Sequence, residues 1–173
     1  MDGIHGHNLG MEVSSETISM QQEHWQMPEW WYRGRRPPND DAYFENMCRT
    51  IFQAGLNWRV IDKKWPTTKK AFADFKVKKV ARFTEADVQR LLNDEGIVRN
   101  KSKILAIIYN AKGFQAIEQK FGSFQAYIDS LDKSDNYAGV IRDLSSKFKH
   151  VGPSTAADFL YSVGEKIKAW EQE

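Results

Sequence analysis

Three aromatic rings and three arginines share one short segment, Glu29-Trp30-Trp31-Tyr32-Arg33-Gly34-Arg35-Arg36-Pro37-Pro38. Flat rings stack on bases and guanidinium groups hold phosphates, so the segment suits contact with nucleotides. It suits equally well a set of rings packed on a core with the arginines in water, and the two faces need not coincide. A second candidate lies near the end of the chain, around Lys147-Phe148-Lys149-His150-Val151-Gly152-Pro153-Ser154. Tyr137, Val140, Ile141, Leu144 and Phe148 recur at helical spacing before it, and Ala156, Phe159, Leu160 and Val163 after it. A tight hairpin over 147–153 must join the two helices. Pro153 suits the first position of the second helix, and Gly152 is expected to take backbone angles closed to other residues. The amides of Gly152 and of Ser154 onward are then unpaired at a helix N-terminus, an anion site beside Lys147, Lys149 and His150. The alternative is an ordinary corner between two helices.

Other helices must position these stretches. Asn39 or Asp40 caps the first, with Asp40 and Asp41 in its opening turn and Phe44, Met47, Cys48, Ile51 and Phe52 as its inner stripe. Gly55 is placed to end it, and Leu56-Asn57-Trp58 reads as a turn. A short helix is expected through Val60 and Ile61, and Pro66 opens another carrying Phe72 and Phe75. Thr84-Glu85-Ala86-Asp87 is a capping box ahead of Val88, Leu91 and Leu92. Asn100 caps the longest helix, with Ile104, Ile107, Ile108, Ala111 and Phe114 on one face as far as Gly122. Arg99, Lys101 and Lys103 gather at its start as a second basic cluster, which an ordinary solvated surface would also explain. Ser123 caps a further helix carrying Phe124, Tyr127, Ile128 and Leu131. No period-two alternation is long enough for a strand, so the expected class is all-α.

A chain of 173 residues fits one domain, expected over 28–173 behind a flexible leader at 1–27 that is rich in Gly, Ser, Glu, Gln and Met. The net charge of +2 requires any nucleic-acid surface to be a local patch. One cysteine, Cys48, excludes an internal disulfide and suits a reducing cytoplasm. No apolar run is long enough for a membrane span, and no signal peptide is visible. His5, His7 and His24 have no partners at ligand spacing, so neither metal nor cofactor is expected.

The hairpin resembles the helix-hairpin-helix element with which DNA repair proteins grip a backbone phosphate. Phe44 to Trp58, ending in Gln-Ala-Gly-Leu-Asn-Trp, resembles the DNA-3-methyladenine glycosylase I family, whose string is Gln-Ala-Gly-Leu-Ser-Trp. Further matches follow in the same order: Asp94 to Lys101, Lys103-Ile104 through Asn110-Ala111, and Phe148-Lys149 through Val151-Gly152. The resemblance covers about Asp40 to Gly164. It implies a helix-hairpin-helix DNA glycosylase-like helical bundle, a monomer acting on double-stranded DNA, and removal of alkylated adenine by base flipping. It also implies that Gln53 and Trp58 line the base pocket, and Arg99, Lys101, Lys147, Lys149, Val151, Gly152 and Ser154 are expected to meet DNA; the family's Tyr-His-Asp string is missing, and Trp30, Trp31 or Tyr32 is expected to supply the aromatic wall in its place. The family carries a pocket glutamate where this chain has Thr50, and a zinc held by two cysteines and two histidines that this chain cannot reproduce. A hydroxyl offers no negative charge to a cationic base. The alternative function is therefore a DNA-binding module that has lost excision. The base for the attacking water stays open among Asp62, Glu45 and Asp158.

Overall fold

Asn39 is extended and its side chain accepts from the amide of Ala42 at 2.9 Å, which opens α1 (Asp40–Gln53). This computed structural model describes residues 26–168, so almost all of the expected leader, with His5, His7 and His24, lies outside the described residues. Phe44, Met47, Cys48 and Ile51 are completely buried along α1, and Gly55 turns the chain at φ 75° just past its end. The next helix, α2 (Trp58–Ala71), is capped by Asn57 and packs on α1. It is one helix, not the two expected. Pro66 lies inside it, on the exposed side, and opens nothing. An interior proline costs about 3 kcal/mol, opposed here by burial of Ile61, Trp65, Thr68 and Ala71. Phe72 and Phe75 fall beyond the helix. A left-handed turn at Ala73–Phe75 stacks the Phe75 ring on Trp65 (5.1 Å) and on Phe72 (5.4 Å).

Short α3 (Val77–Val80) and α4 (Glu85–Leu92), the latter opened by the Thr84/Asp87 capping box, lead to α5 (Lys101–Phe121), capped by Asn100. This longest helix is the hub, packed against α1, α3, α4 and α6 (Phe124–Ser130). Then come α7 (Ser134–Lys147) and α8 (Pro153–Ser162), packed on each other. There is no strand among the described residues, and the architecture is an all-α bundle. Phe114 of α5 stacks on Phe124 (4.4 Å) and meets Phe148 (5.4 Å), tying the end of α7 to the centre of the core.

The segment before α1 is a strap across the C-terminal residues. Tyr32 N–H donates to Ser162 O (2.8 Å), and the Arg33 guanidinium to Tyr161 O (3.0 Å) and Glu165 O (2.8 Å). Arg36 forms a two-pronged pair with Asp129 and reaches Glu165 (3.2 Å). The buried Glu165 also accepts from Tyr137 Oη (2.9 Å) and Lys133 (3.2 Å). Gly164 sits at φ 92° under the strap, where a Cβ would run into the carbonyls of Tyr32 and Arg35. Two of the three arginines read as nucleotide contacts are therefore occupied within the protein. Arg35 stays exposed over the Tyr32 ring, at 4.8 Å.

Candidate active site

Gln53 and Trp58 flank a four-residue turn between α1 and α2. Lys103 braces that turn from α5, donating to Ala54 O (2.7 Å) and Phe52 O (3.4 Å). Its ammonium has left water for backbone carbonyls, and burial lowers its pKa. Lys103 therefore does not belong to a surface cluster with Arg99 and Lys101, which are exposed. The signal was present in the sequence, since Lys103 is in helical register with buried Ile107 and Asn110. Trp58 is 58% exposed and Leu56, at the tip of the turn, 45%. Gln53 is half-buried beside them. A braced turn thus presents a large ring to solvent, with half-buried Gln53 at the helix end just before it.

Below the turn, α1 and α2 run antiparallel and face each other in rungs. Arg49 pairs with Asp62, and Glu45 with Lys69 at 2.8 Å. The Arg49 guanidinium lies between two tryptophans, 4.7 Å from the Trp30 ring centre and 4.9 Å from that of Trp65. Its Nε is buried with no hydrogen-bond partner, and burial lowers its pKa against the opposing pull of Asp62. Thr50, next in sequence, is 4% exposed and donates its hydroxyl to Met47 O at 2.8 Å. Of the aromatic segment, Trp30 reaches this site, with its carbonyl held by Asn46 at 3.0 Å. Trp31 packs edge-on against Tyr161 of α8 (5.3 Å), and Tyr32 is tied by its backbone to Ser162.

The hairpin between α7 and α8 is built differently from expectation. Gly152 has an ordinary φ of −73°, and the left-handed residue is His150 at 58°. A Cβ on Gly152 would meet nothing within 4 Å, so the protein's own packing does not demand glycine there. No side chain caps α8. Gly152, Pro153 and Ser154 at its start are exposed, while the Val151 side chain is buried as an anchor. Asn110 of α5 fixes the turn, accepting from Lys149 N–H (2.8 Å) and donating to Lys149 O (2.9 Å). Ser102 and His150 share a hydrogen bond of 2.6 Å, which brings exposed Arg99 and Lys101 to the same end of the molecule. Lys149 is exposed over Tyr109 (4.1 Å), but Lys147 is drawn back to Asp143 (3.0 Å) and the Tyr127 ring.

The profile of the family described as Methyladenine glycosylase matches residues 19–164. The chain belongs to the methyladenine glycosylase family. Within it, the DNA-3-methyladenine glycosylase of Haemophilus influenzae is 30% identical over 154 residues, 79% of this chain and 82% of that one. DNA-3-methyladenine glycosylase 1 of Escherichia coli is 34% identical over 114 residues, 66% of this chain and 57% of that one. A solved 3-methyladenine DNA glycosylase I from Staphylococcus aureus superposes with a TM-score of 0.67 at 28% identity, covering 83% of this chain and 88% of that one. A tyrosine-to-phenylalanine variant of 3-methyladenine DNA glycosylase I, solved in complex with 3-methyladenine, gives 0.67 at 32% identity, covering 78% and 81%. The zinc that the resemblance implies has no matching ligand set among the described residues. Cys48 is fully buried on α1, and burial pushes its thiol pKa well up, away from the thiolate a metal needs.

Proposed function

We infer that the chain is a base-excision repair glycosylase that hydrolyses the N-glycosidic bond of 3-methyladenine in double-stranded DNA. Family membership carries this reading, and the geometry gives it a mechanism. The uncapped α8 N-terminus with Lys149 seats a phosphate, while Arg99 and Lys101 extend the basic patch. The exposure of Trp58 on the braced turn supports stacking of a flipped, cationic base on its ring, with the Gln53 amide reading the base edge. Leu56 at the tip is an apolar wedge of the kind that fills the gap a flipped nucleotide leaves. Trp30 is the wall on the far side of Arg49. Methylation has already made the base a good leaving group, so departure discharges it and needs no acid. Binding and flipping carry most of the work, and uncharged bases such as hypoxanthine are poor substrates. The proposed acting form is a single-domain monomer in the cytoplasm, and no described helix is long and apolar enough to cross a membrane.

The experiment is chromatography of bases freed from methylated DNA under excess enzyme. Wild type releases 3-methyladenine above a heat-only control, and Trp58→Ala abolishes release. Because Trp58 is 58% exposed, that variant keeps its duplex affinity and unfolds within about 0.5 kcal/mol of wild type. A folded, DNA-binding wild type that frees no methyladenine would make the protein a binding module instead.

A further inference from the structure

Thr50 leaves the pocket without the carboxylate that its family places on α1, yet one stands on the facing helix. We propose that Asp62 of α2, held in place by Arg49, is the negative charge that serves the flipped base, an assignment that rests on the glycosylase reading above.

The placement follows from helical spacing. Asp62 lies four residues after Trp58 and Arg49 four before Gln53, and such pairs share a helix face with Cβ atoms about 5–6 Å apart. The Arg49–Asp62 rung is therefore the next one down from the Gln53–Trp58 rung, at the level of Thr50. The two members differ sharply in access, Arg49 with 8% of its side chain exposed and Asp62 with 53%. Burying the Arg49 guanidinium costs desolvation that a half-exposed partner repays only in part. Placing a long cation between the rings of Trp30 and Trp65, with its Nε unpaired, makes better sense as a means of fixing a carboxylate that still reaches solvent. Arg49 takes Oδ1 of that carboxylate. The other candidates are worse placed. Glu45 is engaged by Lys69 one rung further from Trp58, and Asp158 belongs to α8, behind the hairpin.

The chemistry is electrostatic. Water oxygen bonds to C1′ as the C1′–N bond breaks, the bonding pair goes to the departing base, and the water proton passes to solvent. Positive charge moves from the base toward the sugar along the way. A fixed carboxylate at one side of the pocket favours that charge in both places, and its rate effect comes from the sugar.

The test is single-turnover release from a duplex carrying 3-methyladenine, with duplex affinity and melting measured on the same preparations. Asp62→Asn lowers the release rate about tenfold or more, less than loss of an enclosed catalytic donor because Asp62 is half exposed. Duplex affinity stays within about twofold, since the phosphate contacts lie elsewhere. Asp62→Glu recovers most of the rate, and so does Thr50→Glu placed in the Asp62→Asn background. An Asp62→Asn protein that matches wild type overturns the assignment and leaves the glycosylase reading standing, as does a slow one that neither carboxylate rescues. If the stranded Arg49 prevents folding, Arg49→Lys, which keeps a cation for Asp62 and can shed its charge when left alone, is compared with Arg49→Lys/Asp62→Asn, and equal rates overturn the assignment. A wild type without release overturns both.

Discussion

Replacing Asn110 with Ala tests how the hairpin proposed to grip a phosphate is held. The side chain is completely buried and makes both backbone hydrogen bonds of Lys149, at 2.8 and 2.9 Å. Each such bond contributes about 1 kcal/mol net. Truncation also leaves a small void under the turn, worth about 1 kcal/mol at this size. Lys149 is exposed, so its freed N–H and C=O can turn to water, which keeps the penalty below that of two stranded groups. The expected loss is about 2–3 kcal/mol, or about 4–12 °C in melting temperature for a chain of this length. Asn110→Asp keeps the acceptor for Lys149 N–H but sets a carboxylate oxygen against Lys149 O, and it falls at least as far. Urea unfolding followed by tryptophan fluorescence gives the stability, and anisotropy with a labelled duplex gives the affinity. Affinity drops in both variants because the amides of the α8 N-terminus no longer sit at a fixed distance from Lys149. An Asn110→Ala protein within about 0.5 kcal/mol of wild type, with unchanged DNA binding, would refute the reasoning.

Arg36 and then Lys133 hold the Asp129 carboxyl down at about 2, against an opposing effect of burial. Its contribution is therefore complete above the ordinary value of 3.8 and is lost as pH falls through about 2. Urea titrations should show Asp129→Asn less stable than wild type at pH 6, with the gap closing between about pH 4 and 2. Lys149→Ala should weaken duplex binding evenly across sequences and reduce the slope of log affinity against log salt by about one ion. Binding that stays the same at every salt concentration would remove Lys149 from the interface.

The helix starts were legible because capping is local chemistry. Asn39, Asn100 and Ser123 each accept from an amide three residues on, as their types suggest. The hairpin and the turn after Gln53 were legible for a similar reason, since each needs only a few adjacent residues. Other features depend on the partner a side chain finds far along the chain. Nothing local says that Arg33 and Arg36 will meet Glu165 and not a phosphate, or that Lys147 will turn back to Asp143. Pro66 misled because burial of its neighbours outweighs its own preference. Gly152 misled because the left-handed turn fell two residues earlier, on His150. Arg49 was hidden by its type, since a cation between two rings reads in sequence as an ordinary surface arginine.

The strap has a consequence for the order in which the protein is made. Trp30 to Arg36 leave the ribosome early, but their seats at Tyr161 and Glu165 lie 128 and 132 residues beyond Arg33. At about 5–20 residues per second that delay is roughly 6–26 s, during which α1 and α2 can pair while Trp30 has its contacts on α1, with Asn46 and Arg49, to rest on. The strap that carries the Trp30 wall of the Arg49 cage is therefore not anchored from behind until Tyr161 and Glu165 have been made. A product terminated ahead of Glu165 would keep the hairpin between α7 and α8 but leave Arg33 without one of its two carbonyls and Arg36 without its buried carboxylate.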